Sequence, residues 1–94
     1  MKFSVNQKDL QNSLNYCQGV IEKRSTLAIL SNVLLEAKDA NLKITVTDLD
    51  LIFIQNISNI QITEEGETTT SCSIIYDIVR KFNNEKKINL NLIR

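Results

Sequence analysis

Between Ser31 and Ile57 the chain reads SNVLLEAKDANLKITVTDLDLIFIQNI, and apolar and polar positions alternate through it in three runs. Val33, Leu35 and Ala37 alternate with Leu34, Glu36 and Lys38. Leu42, Ile44 and Val46 alternate with Lys43, Thr45 and Thr47, and Leu51, Phe53 and Gln55 with Ile52, Ile54 and Asn56. A two-residue period in β-branched and aromatic side chains predicts three strands. Lys38-Asp39-Ala40-Asn41 and Thr47-Asp48-Leu49-Asp50 supply the turns, because Asp and Asn bond their own backbone and tolerate left-handed conformations. The result is an antiparallel meander with one apolar face, and that face needs a cover.

Two stretches with a helical period can provide it. Leu10, Leu14, Cys17 and Ile21 fall on one stripe, with Asn6 as the N-cap, Asp9 near the free amides of the first turn and Gly19 marking the end. The opposite face carries Lys8, Gln11, Asn12 and Asn15. Ile75, Ile78, Val79 and Phe82 form the second stripe, capped by Ser71 or Ser73 and closed by Asn83-Asn84. Its polar face holds Ser73, Asp77, Arg80 and Asn84, flanked by Tyr76 and Lys81. Leu14 and Ile78 are expected in the core where the helices cover the sheet.

The remaining segments complete the order. Met1 to Val5 reads as a strand with Phe3 and Val5 on one side, and Glu22 to Leu30 as a connection. Ile60 and Ile62 precede an acidic turn at Glu64-Glu65-Gly66, Thr68 to Thr70 suit a strand, and Ile88 to Ile93 alternates again. Strand, helix and three strands are thus followed by strand, helix and strand, a weak internal repeat. Equivalent halves would put two further strands after Arg94. Without them the strand Ile88 to Ile93 keeps an unpaired edge, and strand-mediated self-association of the chain is expected. The fold class is α+β: an antiparallel sheet with two helices on one face, in one domain spanning 1–94.

Composition narrows the chemistry. Eleven basic and eleven acidic residues leave no net charge, so any nucleic-acid surface has to be a local patch. No apolar run approaches the ~20 residues that span a bilayer, and the N-terminus enters a strand at once, so a cytoplasmic protein is expected. The chain has no His, which removes the Ser-His-Asp and Cys-His arrangements. Cys17 and Cys72 form no metal-binding spacing and read as buried reduced thiols. With only Gly19 and Gly66, there is no glycine-rich phosphate loop. Asp48 and Asp50 could hold a divalent cation from one strand face, but carboxylates at a turn more often bond local amides. No cofactor is implied, and the inventory argues against an enzyme. Lys23 and Arg24 beside Ser25 and Thr26 could hold a phosphate.

Several short motifs, in this order, resemble one family. They are Met1-Lys2-Phe3, Arg24-Ser25-Thr26-Leu27-Ala28-Ile29-Leu30-Ser31-Asn32, Thr47-Asp48-Leu49-Asp50, Gly66-Glu67-Thr68-Thr69 and Asp77-Ile78-Val79-Arg80. Together they are similar to the amino-terminal domain of the bacterial sliding clamp, the beta subunit of DNA polymerase III. Where that family often opens its second helix with basic residues, this chain has Ser73 and Ile74. The resemblance implies a DNA-clamp fold, here lacking its last two strands, and a non-catalytic ring around double-stranded DNA that makes a polymerase processive. It implies a head-to-tail homodimer when full length, with DNA polymerase and clamp loader bound at a pocket outside this chain. It implies that Arg24 contacts the DNA backbone without reading sequence, and the adjacent cation makes Lys23 a further candidate. Helical spacing adds Arg80, and Lys81 less directly, as residues looking into the channel. A stand-alone α+β interaction module, pairing through an exposed strand edge, is the alternative; a metal-dependent enzyme using Asp48 and Asp50 is a more distant one.

Overall fold

The computed structural model describes residues 1–24, 32–47 and 52–92, with the side chains of Glu22, Lys23 and Arg24 excepted. The elements run β1 (Lys2–Asn6), α1 (Gln7–Arg24), β2 (Asn32–Lys38), β3 (Asn41–Thr47), β4 (Ile52–Ile57), β5 (Gln61–Glu64), β6 (Gly66–Ser71), α2 (Cys72–Arg80) and β7 (Lys87–Asn91). The fold is α+β, and among the described residues every strand pairing is antiparallel, as the sequence leads one to expect.

The meander is present as β2, β3 and β4. Its alternation is used as predicted: Val33, Leu35, Ala37, Leu42, Ile44 and Val46 are all buried. The two-residue connection between β2 and β3 puts both Asp39 and Ala40 at positive φ, 53° and 62°. That left-handed pair matches the twist of the hairpin it joins. The turn is held from outside, with the Asp39 amide donating to Glu65 Oε2 at 2.9 Å and the Ile60 amide to the Ala40 carbonyl at 2.9 Å. The turn expected at Thr47 to Asp50 lies outside the described residues beyond Thr47.

The sheet is divided in two. One has four strands in the order β4-β3-β2-β6, the other three in the order β5-β1-β7. The segment Glu64-Glu65-Gly66 is not a reversal. The chain leaves β5, paired with β1, and enters β6, paired with β2, with only Glu65 between. One extended run therefore belongs to both sheets. The strand β5 itself is additional to the predicted elements, although Ile60 and Ile62 alternate with Gln61 and Thr63 as a strand would.

The helices differ from expectation at their ends and on one face. Asn6 does cap α1, its Oδ1 accepting from the Asp9 amide at 3.1 Å. The helix then passes through Gly19 to Arg24, so Gly19 is an interior residue and no glycine has a positive φ. A Cβ at Gly19 would meet nothing within 4 Å. Ser71 caps α2, accepting from the Ile74 amide at 3.4 Å. Leu14 is fully buried with Leu10 and Cys17, but Ile78 is 52% exposed. The buried face of α2 is Cys72, Ile75 and Val79, so the apolar stripe is wider than the surface that covers it. Among the described residues no helix is long and apolar enough to cross a membrane.

Candidate nucleic-acid interface

The two helices lie side by side, and polar side chains make the seam between them. Gln7, at the first position of α1, is 1% exposed. Its Nε2 donates to the Val79 carbonyl in the last turn of α2 at 3.0 Å and to Gln11 Oε1 at 2.8 Å. Its backbone amide donates to the Lys86 carbonyl just before β7 at 2.9 Å. Next to Cys17 in the chain, Gln18 donates from Nε2 to Ser73 Oγ at 3.4 Å. At 100° per residue, Gln7, Gln11 and Gln18 share one flank of α1, between its apolar stripe and its solvent face. Sequence inspection overlooked Gln7 because it sits beside an N-cap, where a polar residue is ordinary.

Outside this seam the helices show solvent a sparse, mixed surface. From α1 it carries Lys8, Asn12 and Asn15, and from α2 Asp77, Arg80 and then Lys81, all exposed. Arg80 Nε donates to Asp77 Oδ1 at 3.1 Å, and the guanidinium lies 6.0 Å from the Tyr76 ring centroid. Both members of that pair are more than half exposed, so it orients Arg80 with little net stabilisation. The remaining guanidinium donors stay available to an anion. Lys81 is the C-cap of α2, its amide donating to the Ile78 carbonyl at 3.2 Å. A cation there is favoured by the helix dipole.

Arg80 and Lys81 are thus brought together on one exposed helix end. Lys8 is a further exposed cation on the same helical layer. The helical backbone of α1 runs through Lys23 and Arg24, whose side chains, with Ser25 and Thr26, lie outside the described residues; so do Asp48 and Asp50. Among the described residues no three acidic, Cys or His side chains are grouped to hold a metal. Cys17 is pushed up to about 12 by burial first and by Cys72 second, which keeps its thiol neutral and poorly nucleophilic. A cleft of about 860 Å³ opens where Met1 and Lys2 meet Glu36, Glu64, Glu65 and Glu67. Four carboxylates there face three cations, the N-terminal ammonium, Lys2 and Lys38, which leaves the cleft net negative, so the helical layer is the better nucleic-acid surface.

Residues 1–93 match the family model for the N-terminal domain of the DNA polymerase III beta subunit. The chain belongs to this family. It is 41% identical over 81 residues to the beta sliding clamp of Rickettsia felis, covering 86% of this chain and 21% of that one. To the beta sliding clamp of Escherichia coli K12 it is 36% identical over 80 residues, 85% of this chain and 22% of the relative. Among solved structures it superposes on Caulobacter crescentus pol III beta with a TM-score of 0.83 at 35% identity, over 97% of this chain and 24% of that one. With the Helicobacter pylori beta clamp crystallised with carprofen the TM-score is 0.85 at 28% identity, over 99% and 25%. The chain therefore spans about a quarter of the length of the beta subunits it matches.

Proposed function

We propose that this chain is one segment of a DNA sliding clamp, a closed ring that encircles duplex DNA and makes the replicative polymerase processive without chemistry of its own. The observation that carries this is the family match over residues 1–93, joined to a helical layer that is polar and only sparsely cationic. A ring held on DNA by topology needs weak phosphate contacts that let it slide, because strong ones would brake it. In this role residues 1–94 form the amino-terminal clamp domain, less two strands that in the first repeat follow β2. Arg80 and Lys81 on α2 and Lys23 and Arg24 at the end of α1 contact the backbone irrespective of sequence. DNA polymerase and clamp loader bind elsewhere in a full-length, head-to-tail dimer, and the protein works in the cytoplasm.

The test is made on the full-length ring that contains this domain. After loading, it should be retained on closed circular DNA and lost when the circle is linearised. Equal retention on both would exclude the topological role. Arg24→Ala and Arg80→Ala should each weaken association equally for all sequences and lower the magnitude of the salt slope by roughly one. An unchanged slope would remove that residue from the interface.

A further inference from the structure

Cys17 and Cys72 are the two cysteines of the sequence, and both are fully buried thiols. The role proposed above uses neither. They meet across the seam between α1 and α2. The Cys72 Sγ donates to the Leu14 carbonyl at 3.7 Å. Leu14 and Cys17 stand three residues apart on one helical face, with about 5–6 Å between their Cβ atoms. A helical side chain leans toward the N-terminus of its helix. The Cys17 side chain therefore leans back over the turn that carries the Leu14 carbonyl. A second contact brackets the pair, because Gln18, beside Cys17 in sequence, reaches Ser73, beside Cys72. Burial and the neighbouring Cys72 both oppose ionisation of Cys17. An electrostatic effect of one sulfur on the other needs the two to be close.

In the closed seam the pair is inert, because neither thiol meets solvent and burial keeps Cys17 protonated. Local parting of α1 and α2 changes that. Thiols then exchange with a small disulfide in two steps. One cysteine, deprotonated, attacks a sulfur of the small disulfide, and the first small thiolate leaves. The other cysteine attacks the protein sulfur of that mixed disulfide, and the second small thiolate leaves. The protons of the two cysteines go to the two leaving groups. The chain is oxidised by two electrons, and the small disulfide is reduced to two thiols. The second step is intramolecular, and the seam supplies the proximity it needs.

We propose that Cys17 and Cys72 are a reversible modification site, oxidised by a low-molecular-weight disulfide to one intrachain bond that ties α1 to α2. Reduction by a dithiol restores the two thiols. The closed seam is the gate. Reaction waits on local opening of the helices, so the folded chain is oxidised more slowly than the unfolded one. Once made, the bond closes a long loop and removes entropy from the unfolded chain, so the oxidised form is the more stable. The site needs nothing from DNA, so it and the clamp role can fail separately.

The 94-residue chain has no other cysteine, so it reports on this pair alone. It is incubated with an excess of glutathione disulfide, in native buffer and in urea, and quenched with acid. In native buffer the mass should fall by two hydrogen atoms, and the thiols counted in denaturant should fall from two to none. Trypsin should then release Asp9–Lys23 joined to Ile44–Arg80, and a dithiol should separate them. The native reaction should be at least about tenfold slower than the reaction in urea. The oxidised chain should keep its far-ultraviolet circular dichroism and unfold at a higher urea concentration than the reduced chain. Cys17→Ala and Cys72→Ala should each stop at a mixed disulfide with one glutathione, with no rise in the urea midpoint. A wild-type chain that ends with two glutathiones, or joined to another chain, overturns the proposal. So do thiols that stay reduced in native buffer for as long as the fold lasts, and so does an equal rate in buffer and urea. An intrachain bond that lowers the urea midpoint or abolishes the dichroism overturns it as well.

Discussion

Gly19 sits in the interior of an eighteen-residue helix, with ordinary helical backbone and open space where a side chain would be. Glycine there costs conformational entropy that alanine does not, by about 0.5–1 kcal/mol. Gly19→Ala is expected to stabilise the chain by that amount, read as a higher denaturant midpoint with an unchanged slope. Glu64 is a second case decided by one residue. The N-terminal ammonium donates to its Oε1 at 3.1 Å and, with Lys2, holds its carboxyl below the ordinary range. A depressed folded-state pKa means that the unfolded chain takes up the proton first as pH falls. The stabilisation is in place above the unfolded carboxyl's pKa and is lost as pH drops from there through the folded value. Glu64→Gln should flatten that part of the acid limb in a pH series of urea melts, and an unaltered limb would mean the contact contributes nothing.

At the scale of elements, the two helices show what periodicity does and does not reveal. Leu14 and Ile78 are the same kind of position by spacing, each in the middle of an apolar stripe. Leu14→Ala should cost about 2–5 kcal/mol, as a fully buried leucine does. Ile78→Ala should stay within about 0.5 kcal/mol, at concentrations where the chain is monomeric. Equal losses in thermal or urea melts would mean that α2 packs on its other flank. Hydrophobic spacing reports which side of a helix is apolar, not how much of that side the sheet reaches. The meander was legible because its strands are half-buried and alternate, and α1 because its whole stripe, Leu10, Leu14, Cys17 and Ile21, is buried. The Glu65 crossing was not, because one extended run shared between two sheets has no local signature. Of the residues proposed for the site, the exposure of Arg80 and Lys81 was readable from spacing alone. The buried Gln7 was not, since its partners Val79 and Lys86 are distant in sequence.

For the molecule as a whole, the strand order matters more than any single contact. The strand β1 lies between β5 and β7, and the Met1 amine and Leu92 carbonyl, 3.5 Å apart, are separated by 91 positions in the chain. The four-stranded sheet, by contrast, is built from neighbours joined by short connections, apart from β6. Local pairings close small loops and form early, while distant ones wait on a larger loss of chain entropy. On the ribosome this separates the two sheets in time. The strand β1 is made before either of its neighbours; it is held without a partner until the segment around Gln61 follows it, and lacks its second until Lys87 to Asn91 has emerged. The hairpin Asn32 to Thr47 can already be closed by then. Among the described strands the earliest made is therefore the one whose place is settled last, and a pause before Lys87 to Asn91 is made prolongs the time for which Phe3 and Val5 are exposed.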